Sequence, residues 1–184
     1  MIIVEGELDK LAVEEATGRT AVLSIPAGAA APRQHQYQHT KQWNQQQPQP
    51  FNSGSTHVAH TGKKFAYVHH AQPLLQGCQQ IMIAVDGDEP GFYTACQLAE
   101  RLGPERCWYL PWPAAVVYGA QALKHVAELA RQQGMVVDVA EASTCKDAND
   151  VLMVCGPESL KLYLEYACTS FTDLLASGVG PVLG

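Results

Sequence analysis

Two short apolar runs that each end at carboxylates constrain the fold of this chain most strongly. Residues 1–4 and 81–85 are unbroken and rich in β-branched side chains, which is typical of strands buried on both faces of a parallel sheet. Glu5 follows the first run, and Asp86 and Asp88 follow the second. Because the chemistry of open α/β sheets gathers beyond the carboxyl ends of the strands, these side chains face one crevice if the two strands are neighbours.

These three carboxylates predict a binding site for a divalent cation. Carboxylates about 4 Å apart repel each other by roughly 4 kcal/mol at the dielectric constant of a protein surface. A hard cation with oxygen ligands relieves that repulsion, and the residue types favour Mg²⁺. Gly6 after Glu5 indicates a sharp turn that directs the carboxylate into the crevice. Asp86 and Asp88 also have an interpretation as turn residues, since Asp-Gly is a common turn dipeptide.

The rest of the chain alternates between strand and helix patterns. Strands are expected at residues 1–4, 20–25, 80–85 and 106–110. Helices are expected at residues 7–17, 91–102, about 120–133 and 157–166. This alternation implies right-handed β-α-β crossovers. The predicted fold class is therefore α/β, with about four mainly parallel strands flanked by helices on both sides.

The length and composition suit one domain that carries two insertions. The chain has 184 residues, of which 47% are apolar, enough for one globular core. Residues 30–64 are rich in Gln, His and Pro without periodicity, so we expect a disordered, low-complexity insertion there. Residues 114–140 are predicted to be a second insertion. The domain is expected to span residues 1–168, followed by a C-terminal tail at 169–184.

Charge and missing motifs exclude several classes of protein. The net charge of −6 is unlike that of a protein which grips nucleic acid through a broad basic face. No run approaches the roughly 18 apolar residues that span a bilayer, so no membrane is expected as a partner. The six cysteines include no Cys-x-x-Cys pair, which argues against a zinc module. The Gly-x-x-x-x-Gly-Lys-Ser/Thr phosphate loop is also missing, so the chain alone is no helicase motor.

Three segments resemble a known family. The Glu5-Gly6 turn after one strand and the Asp86-Gly87-Asp88 turn after a later one resemble the TOPRIM domain, which bacterial-type primases, topoisomerases and some nucleases share. Residues 145–149, Cys-Lys-Asp-Ala-Asn, are similar to a segment of phage-type primase-helicases and their organellar, Twinkle-like relatives. The resemblance covers residues 2–26, 65–113 and 145–168.

The resemblance implies roles for the acidic residues. Glu5 would act as a general acid or base and also belong to the metal shell, while Asp86 and Asp88 would hold Mg²⁺. Asp9 matches a further acidic position of the family and would also lie near the metal. An ordinary role for Asp9 stays open, because negative charge in a first helical turn complements the helix dipole.

The resemblance also implies roles for the segment before the last helix. Lys146 would be a catalytic residue that contacts a phosphate, and Asp147 would join the metal shell. A capped turn at the start of a helix is the alternative interpretation of residues 146–149, and it stays open.

The function implied by the resemblance is that of the TOPRIM module of a Twinkle-like DNA primase-helicase in organellar DNA replication. Such a module holds Mg²⁺ that aligns the phosphates of a nucleoside triphosphate against a primer 3′-hydroxyl. The expected partners are nucleoside triphosphates, a single-stranded DNA template and the helicase domain or subunits of the full-length protein, which would supply 5′-3′ unwinding. The expected location is the mitochondrion or plastid. Because the chain begins almost inside its first strand, we expect an upstream segment to be missing.

Two alternative functions are compatible with the same motifs. A TOPRIM nuclease or a topoisomerase fragment would use a similar acidic cluster for strand cleavage. A catalytically silent structural or DNA-binding module beside a helicase would keep the fold without the chemistry.

Overall fold

The computed structural model describes residues 1–26 and 65–178, which form a five-stranded sheet with helices on both faces. The strands are β1 (Ile2–Val4), β2 (Val22–Ser24), β3 (Ile81–Ala84), β4 (Cys107–Tyr109) and β5 (Thr169–Ser170). Their order across the sheet is β2-β1-β3-β4-β5. β1 to β4 run parallel, and β5 is antiparallel to β4. The predicted α/β class is confirmed, with one strand more than the sequence pattern indicated.

Eight helices surround this sheet in the described part of the chain. They are α1 (Glu7–Thr17), α2 (Ala66–His70), α3 (Gln72–Gln76), α4 (Glu89–Leu102), α5 (Gly119–Gln132), α6 (Val139–Ala142), α7 (Ala148–Tyr166) and α8 (Phe171–Ala176). α7 is broken at Gly156, whose φ of 81° is not helical, so Pro157 opens its second half. Among the described helices, none is long and apolar enough to cross a membrane.

The sheet separates two apolar layers because successive side chains of a strand point to opposite faces. Ile2 and Val4 pack with α1, α5 and α7 in one layer. Ile3 packs with α3, α4 and α8 in the other layer. Both faces of β1 are therefore buried, which explains why its sequence is an unbroken apolar run.

The structure describes one of the two predicted insertions and most of the predicted C-terminal tail. Residues 30–64 lie outside the described residues. Within 114–140, α5 buries Val126 and Ala130 in the core. Beyond residue 168, α8 buries Phe171 and Leu174 against the other face of the sheet. The domain boundaries at 168 and around 114–140 stay predictions, but both α5 and α8 contribute to the core.

Candidate functional site

Glu5 lies where β1 and β3 end at the same edge of the sheet. The parallel register pairs Val4 with Ala84, so the residues that follow leave the sheet side by side. The backbone N–H of Asp86 donates a hydrogen bond of 3.2 Å to Oε2 of Glu5. The two strands are thus neighbours, and their first acidic residues share one crevice.

Asp86 is half-buried and lies in a strongly negative environment. The pKa of its carboxyl is raised to about 7, first by burial and then by the charge of Glu5, with smaller contributions from Asp147 and Asp9. Lys146 opposes this shift, because its Nζ lies 3.5 Å from Oδ2 of Asp86 and 4.0 Å from Oδ2 of Asp147. The crevice therefore combines clustered carboxylates with one ammonium group.

Asp9 is buried beneath this cluster, with 7% of its surface exposed. Its Oδ2 accepts a hydrogen bond from the backbone N–H of Gly6, and its Oδ1 accepts one from the N–H of Asn149, both at 3.1 Å. Burial raises the pKa of Asp9 to about 6 despite these two bonds, with Asp147 contributing. Asp9 thus ties the start of α1 to the start of α7.

Two hydrogen bonds from backbone N–H groups to aspartate side chains hold the Lys146–Asp150 segment at the start of α7. Asp147 is the N-cap, and its Oδ1 accepts a hydrogen bond of 2.7 Å from the N–H of Asp150. Oδ2 of Asp150 in turn accepts from the N–H of Lys146 at 3.1 Å. The first bond is an ordinary N-cap bond, whereas the second reaches the residue before the N-cap and not the N-cap itself, as it would in a capping box. The Asp-x-x-Asp spacing of 147 and 150 is the sequence signal for the role of Asp150, which the motif analysis missed.

A backbone contact joins this segment to the turn that follows β3. The N–H of Gly87 donates a hydrogen bond of 2.7 Å to the carbonyl oxygen of Lys146. The loop after β4 covers the same turn, since the N–H of Val116 donates to the carbonyl oxygen of Gly87 at 3.2 Å. A side chain at Gly87 would come within 3.1 Å of the backbone of Ala115. Close backbone packing therefore sets the position of Lys146 relative to Asp86.

Asp88 lies differently from the other predicted site residues. It is exposed and is the N-cap of α4, where its Oδ1 accepts a hydrogen bond of 2.8 Å from the N–H of Gly91. An aspartate in this position satisfies a helical N–H that would otherwise lack a partner. The structure thus brings Glu5, Asp9, Asp86, Lys146 and Asp147 together and places Asp88 at the adjoining helix start.

The donor atoms of the crevice suit Mg²⁺, although their spacing gives no dense ligand cage. Within residues 1–26 and 65–178, no group of three His, Cys, Asp or Glu side chains is placed to hold a metal ion. Mg²⁺, however, usually keeps several waters and binds through one or two carboxylates plus substrate phosphates. Glu5 and Asp86 meet this smaller requirement, and the repulsion around Asp86 is what a cation would reduce.

We expect the metal-free chain to lose stability as pH rises from about 4 to about 7. Asp9 and Asp86 have an ordinary pKa of 3.8 but titrate near 6 and 7 when folded. The folded chain therefore binds more protons across this window, so the free energy of unfolding is highest below it and falls as pH rises through both folded pKa values. Urea unfolding at several pH values checks this.

Asp86→Asn is the informative variant in that experiment, because it removes one of the two shifted groups. We expect it to flatten the decline between about pH 5 and about pH 7. Glu165→Gln, at an exposed position of α7, is the control and should leave the decline unchanged. Equal slopes for the wild type and Asp86→Asn would contradict the raised pKa of Asp86.

Known proteins share sequence similarity with this chain. The profile of the Toprim domain matches residues 1–110. The chain is 34% identical over 161 residues to the Primase homolog protein of Arabidopsis thaliana, which covers 88% of this chain and 35% of that protein. It is 33% identical over 161 residues to the Twinkle homolog protein, chloroplastic/mitochondrial, of the same plant, which covers 88% of this chain and 17% of that protein. No solved structure matches the chain significantly.

The family match covers the parts of the chain that build the crevice from the sheet. Residues 1–110 include β1 to β4, Glu5 and the turn that carries Asp86. The chain spans about a third of the first plant relative and about a sixth of the second. Since the Toprim profile matches more than half of its 184 residues, the chain belongs to the Toprim domain family.

Proposed function

We propose that this chain is the Toprim module of an organellar DNA primase-helicase and takes part in Mg²⁺-dependent nucleotidyl transfer during primer synthesis. The observation that carries the proposal is the meeting of Glu5, Asp86 and Lys146 at one edge of the sheet. The relatives named Primase homolog and Twinkle homolog support the choice of polynucleotide chemistry. The name of the second relative also supports a mitochondrial or plastid location.

Lys146 is suited to bind a phosphate of the incoming nucleoside triphosphate. Its side chain is 54% exposed, so the ammonium group can leave Asp86 and reach a ligand in the crevice. The carboxylates around it raise its pKa, Asp86 most strongly, so the side chain stays protonated at neutral pH. A protonated lysine offers three donors to phosphate oxygens.

Glu5 and Asp86 are the residues that would hold Mg²⁺, with Asp147 within reach of the same crevice. The bound ion would neutralise phosphate charge and stabilise the charge that develops during transfer. Asp88 would contribute through Oδ2, because its Oδ1 accepts the capping hydrogen bond from Gly91. Asp9 would act by holding α1 and α7 together, since both of its oxygens already accept backbone hydrogen bonds.

The proton step is assigned to Glu5. The 3′-hydroxyl oxygen of the primer attacks the α-phosphorus, and the bond to pyrophosphate breaks. The proton of that hydroxyl passes to the carboxylate of Glu5, which the N–H of Asp86 holds in a fixed orientation. Such a positioned base contributes about 10² to 10⁴-fold to the rate.

The template must be held mainly by other parts of the protein. The chain carries a net charge of −6, whereas binding to DNA phosphates draws on clustered Lys and Arg. Single-stranded DNA and the helicase domain of the full-length protein are therefore the partners we propose for this module. The 5′-3′ helicase activity belongs to that other domain in this proposal.

A silent structural or DNA-binding module is the second candidate, and one observation favours it. The described residues contain no group of three metal-binding side chains, and Asp88 and Asp147 both serve as helix caps. A module of this kind would keep the capping network and the fold, and it would bind Mg²⁺ no more tightly than other surface carboxylates do.

Lys146→Met tests the proposed phosphate contact. We expect it to raise the KM for nucleoside triphosphate in primer synthesis by about 10- to 100-fold, because a charged hydrogen bond contributes about 1.5–3 kcal/mol. The assay uses the full-length protein on single-stranded DNA with Mg²⁺. Lys161→Met, at an exposed position of α7, is the matched control. An unchanged KM in Lys146→Met would remove this lysine from the nucleotide site.

A further inference from the structure

An apolar surface outside the crevice extends over α1 and the first half of α7 and borders α6. Leu8 and Leu11 of α1 are 65% and 58% exposed, and Met153 of α7 is 75% exposed. Single exposed apolar residues are normal, but a contiguous group marks an interaction site. We call this surface, defined by Leu8, Leu11, Leu152, Met153 and Val154, the α1–α7 face.

Two grooves run along this face, one on each side of the first half of α7. Leu8, Leu11 and Leu152 line the groove between α1 and α7. Met153 and Val154 line the groove between α7 and α6. The α1–α7 face is therefore a ridge between two troughs, each lined by both apolar and polar residues, which offers side-chain pockets to an amphipathic partner.

The charges around the grooves are acidic. Glu14 and Glu15 line the first groove, and Glu141 lines the second. Lys10 lies 3.9 Å from Glu14 and offsets one of these three charges. The rim of the α1–α7 face thus carries a net negative charge next to its apolar floor.

This charge selects among the possible occupants. Nucleic acid and anionic membranes are repelled by glutamates, because both carry dense negative charge. A second copy of the chain would bring two acidic rims together, and the chain already has a net charge of −6. A polypeptide with apolar anchors and flanking Lys or Arg complements both the floor and the rim.

We infer that the α1–α7 face docks an amphipathic, basic helix of a partner polypeptide, with its leucine-like side chains in the two grooves. This helix-in-groove mode places anchors at i, i+3, i+4 and i+7. The inference does not depend on the proposed catalysis, because none of the five residues that define the face belongs to the carboxylate crevice.

A peptide-binding experiment tests this docking surface. The probe is a fluorescent helix-forming peptide of leucine and lysine, with leucine at i, i+3, i+4 and i+7. The matched probe replaces every lysine by glutamate. We expect the lysine peptide to bind with an affinity that falls as salt is added, and the glutamate peptide to bind at least about tenfold more weakly.

Surface variants locate the binding to this face. We expect Leu11→Gln and Met153→Gln each to weaken the lysine peptide by about ten- to a hundredfold, which corresponds to burial of one large apolar side chain. Both positions are exposed, so the variants should unfold at the wild-type temperature. Val136→Gln, at a position that is 95% exposed and outside the grooves, should bind as the wild type does.

Three outcomes would overturn the inference. Equal peptide affinity for the wild type and both groove variants would place the binding elsewhere. Equal binding of the glutamate peptide would remove the role of the acidic rim. A dimer in sedimentation that Leu11→Gln dissociates would show that the occupant is a second copy of the chain.

Discussion

Glu5→Gln is expected to lower primer synthesis by the full-length protein by about 10² to 10⁴-fold, the range for loss of a positioned acid or base. Glutamine keeps the shape of the side chain, and its carbonyl oxygen can still accept the hydrogen bond from the N–H of Asp86. The variant therefore removes the proton acceptor while it preserves the link between β1 and β3. The rate of primer formation on single-stranded DNA is the measurement.

Two controls make this result specific. Glu165→Gln, which changes an exposed carboxylate on α7, should leave primer yield unchanged. ATP-driven unwinding by the same full-length Glu5→Gln protein should also be retained, because these 184 residues contain no phosphate loop. Retained Mg²⁺ affinity in Glu5→Gln would identify proton transfer as the lost step. Normal primer yield would contradict the catalytic assignment of Glu5.

Gly91→Ala is expected to destabilise the fold by about 3 kcal/mol, the upper range for overpacking of a closely packed site. A methyl group at this position would collide with the carbonyl oxygen of Asp86 and crowd Oδ1 of Asp88. The clash involves backbone, which cannot rotate away as a flexible side chain can. Because Gly91 lies in the first turn of α4, relief would require α4 to move away from the turn after β3.

Gly77→Ala is the matched control for that substitution. Gly77 has a φ of −76°, and the nearest atom to an added methyl group is the carbonyl oxygen of Leu74 at 4.0 Å. We expect this variant to be neutral or to stabilise by about 0.4–1 kcal/mol, since alanine restricts the unfolded chain. Urea unfolding measures both variants. Similar stability of the two proteins would show that α4 does not approach the turn as closely as described.

Local signals explain which parts of the fold could be predicted. The bounds of α1 at residues 7–17 are confirmed, and Gly18 ends the helix with a left-handed φ of 64°. Glycine adopts this conformation without steric cost, so the stop signal is contained in the sequence itself. The runs that became β1 and β3 were also recognisable, because burial on both faces excludes polar residues from them.

Other parts of the fold depend on contacts between residues far apart in the chain, so the hydrophobic pattern of the sequence did not predict them. β5 has two residues and pairs antiparallel with β4, so it is too short to show any period. Residues 148–155 form the first half of α7 because Asp147 caps it, whereas the pattern indicated a helix only from Pro157. The apolar stripe of α5 was visible, but its burial against the sheet depends on tertiary packing.

The candidate site also combines contacts that the sequence indicated with contacts that no sequence pattern contains. The apolar runs predicted that Glu5 and Asp86 share a crevice only if their strands are neighbours, and β1 and β3 do pair directly. The hydrogen bond from Asn149 to Asp9 joins residues 140 positions apart, and no local pattern contains it. The capping role of Asp88 is the turn-type interpretation that the sequence left open. Whether these residues catalyse the transfer stays a prediction.

Calorimetric titration of the isolated chain with Mg²⁺ tests the central claim most directly. We predict saturable binding that Asp86→Asn weakens at least about tenfold, as expected when a metal-site carboxylate is lost. Glu165→Gln, with its exposed carboxylate on α7, should bind as the wild type does. Mg²⁺ should also raise the Tm of the wild type more than that of Asp86→Asn, because binding stabilises only the folded state. Equal Mg²⁺ affinity in the wild type and Asp86→Asn would contradict a metal site at this edge of the sheet.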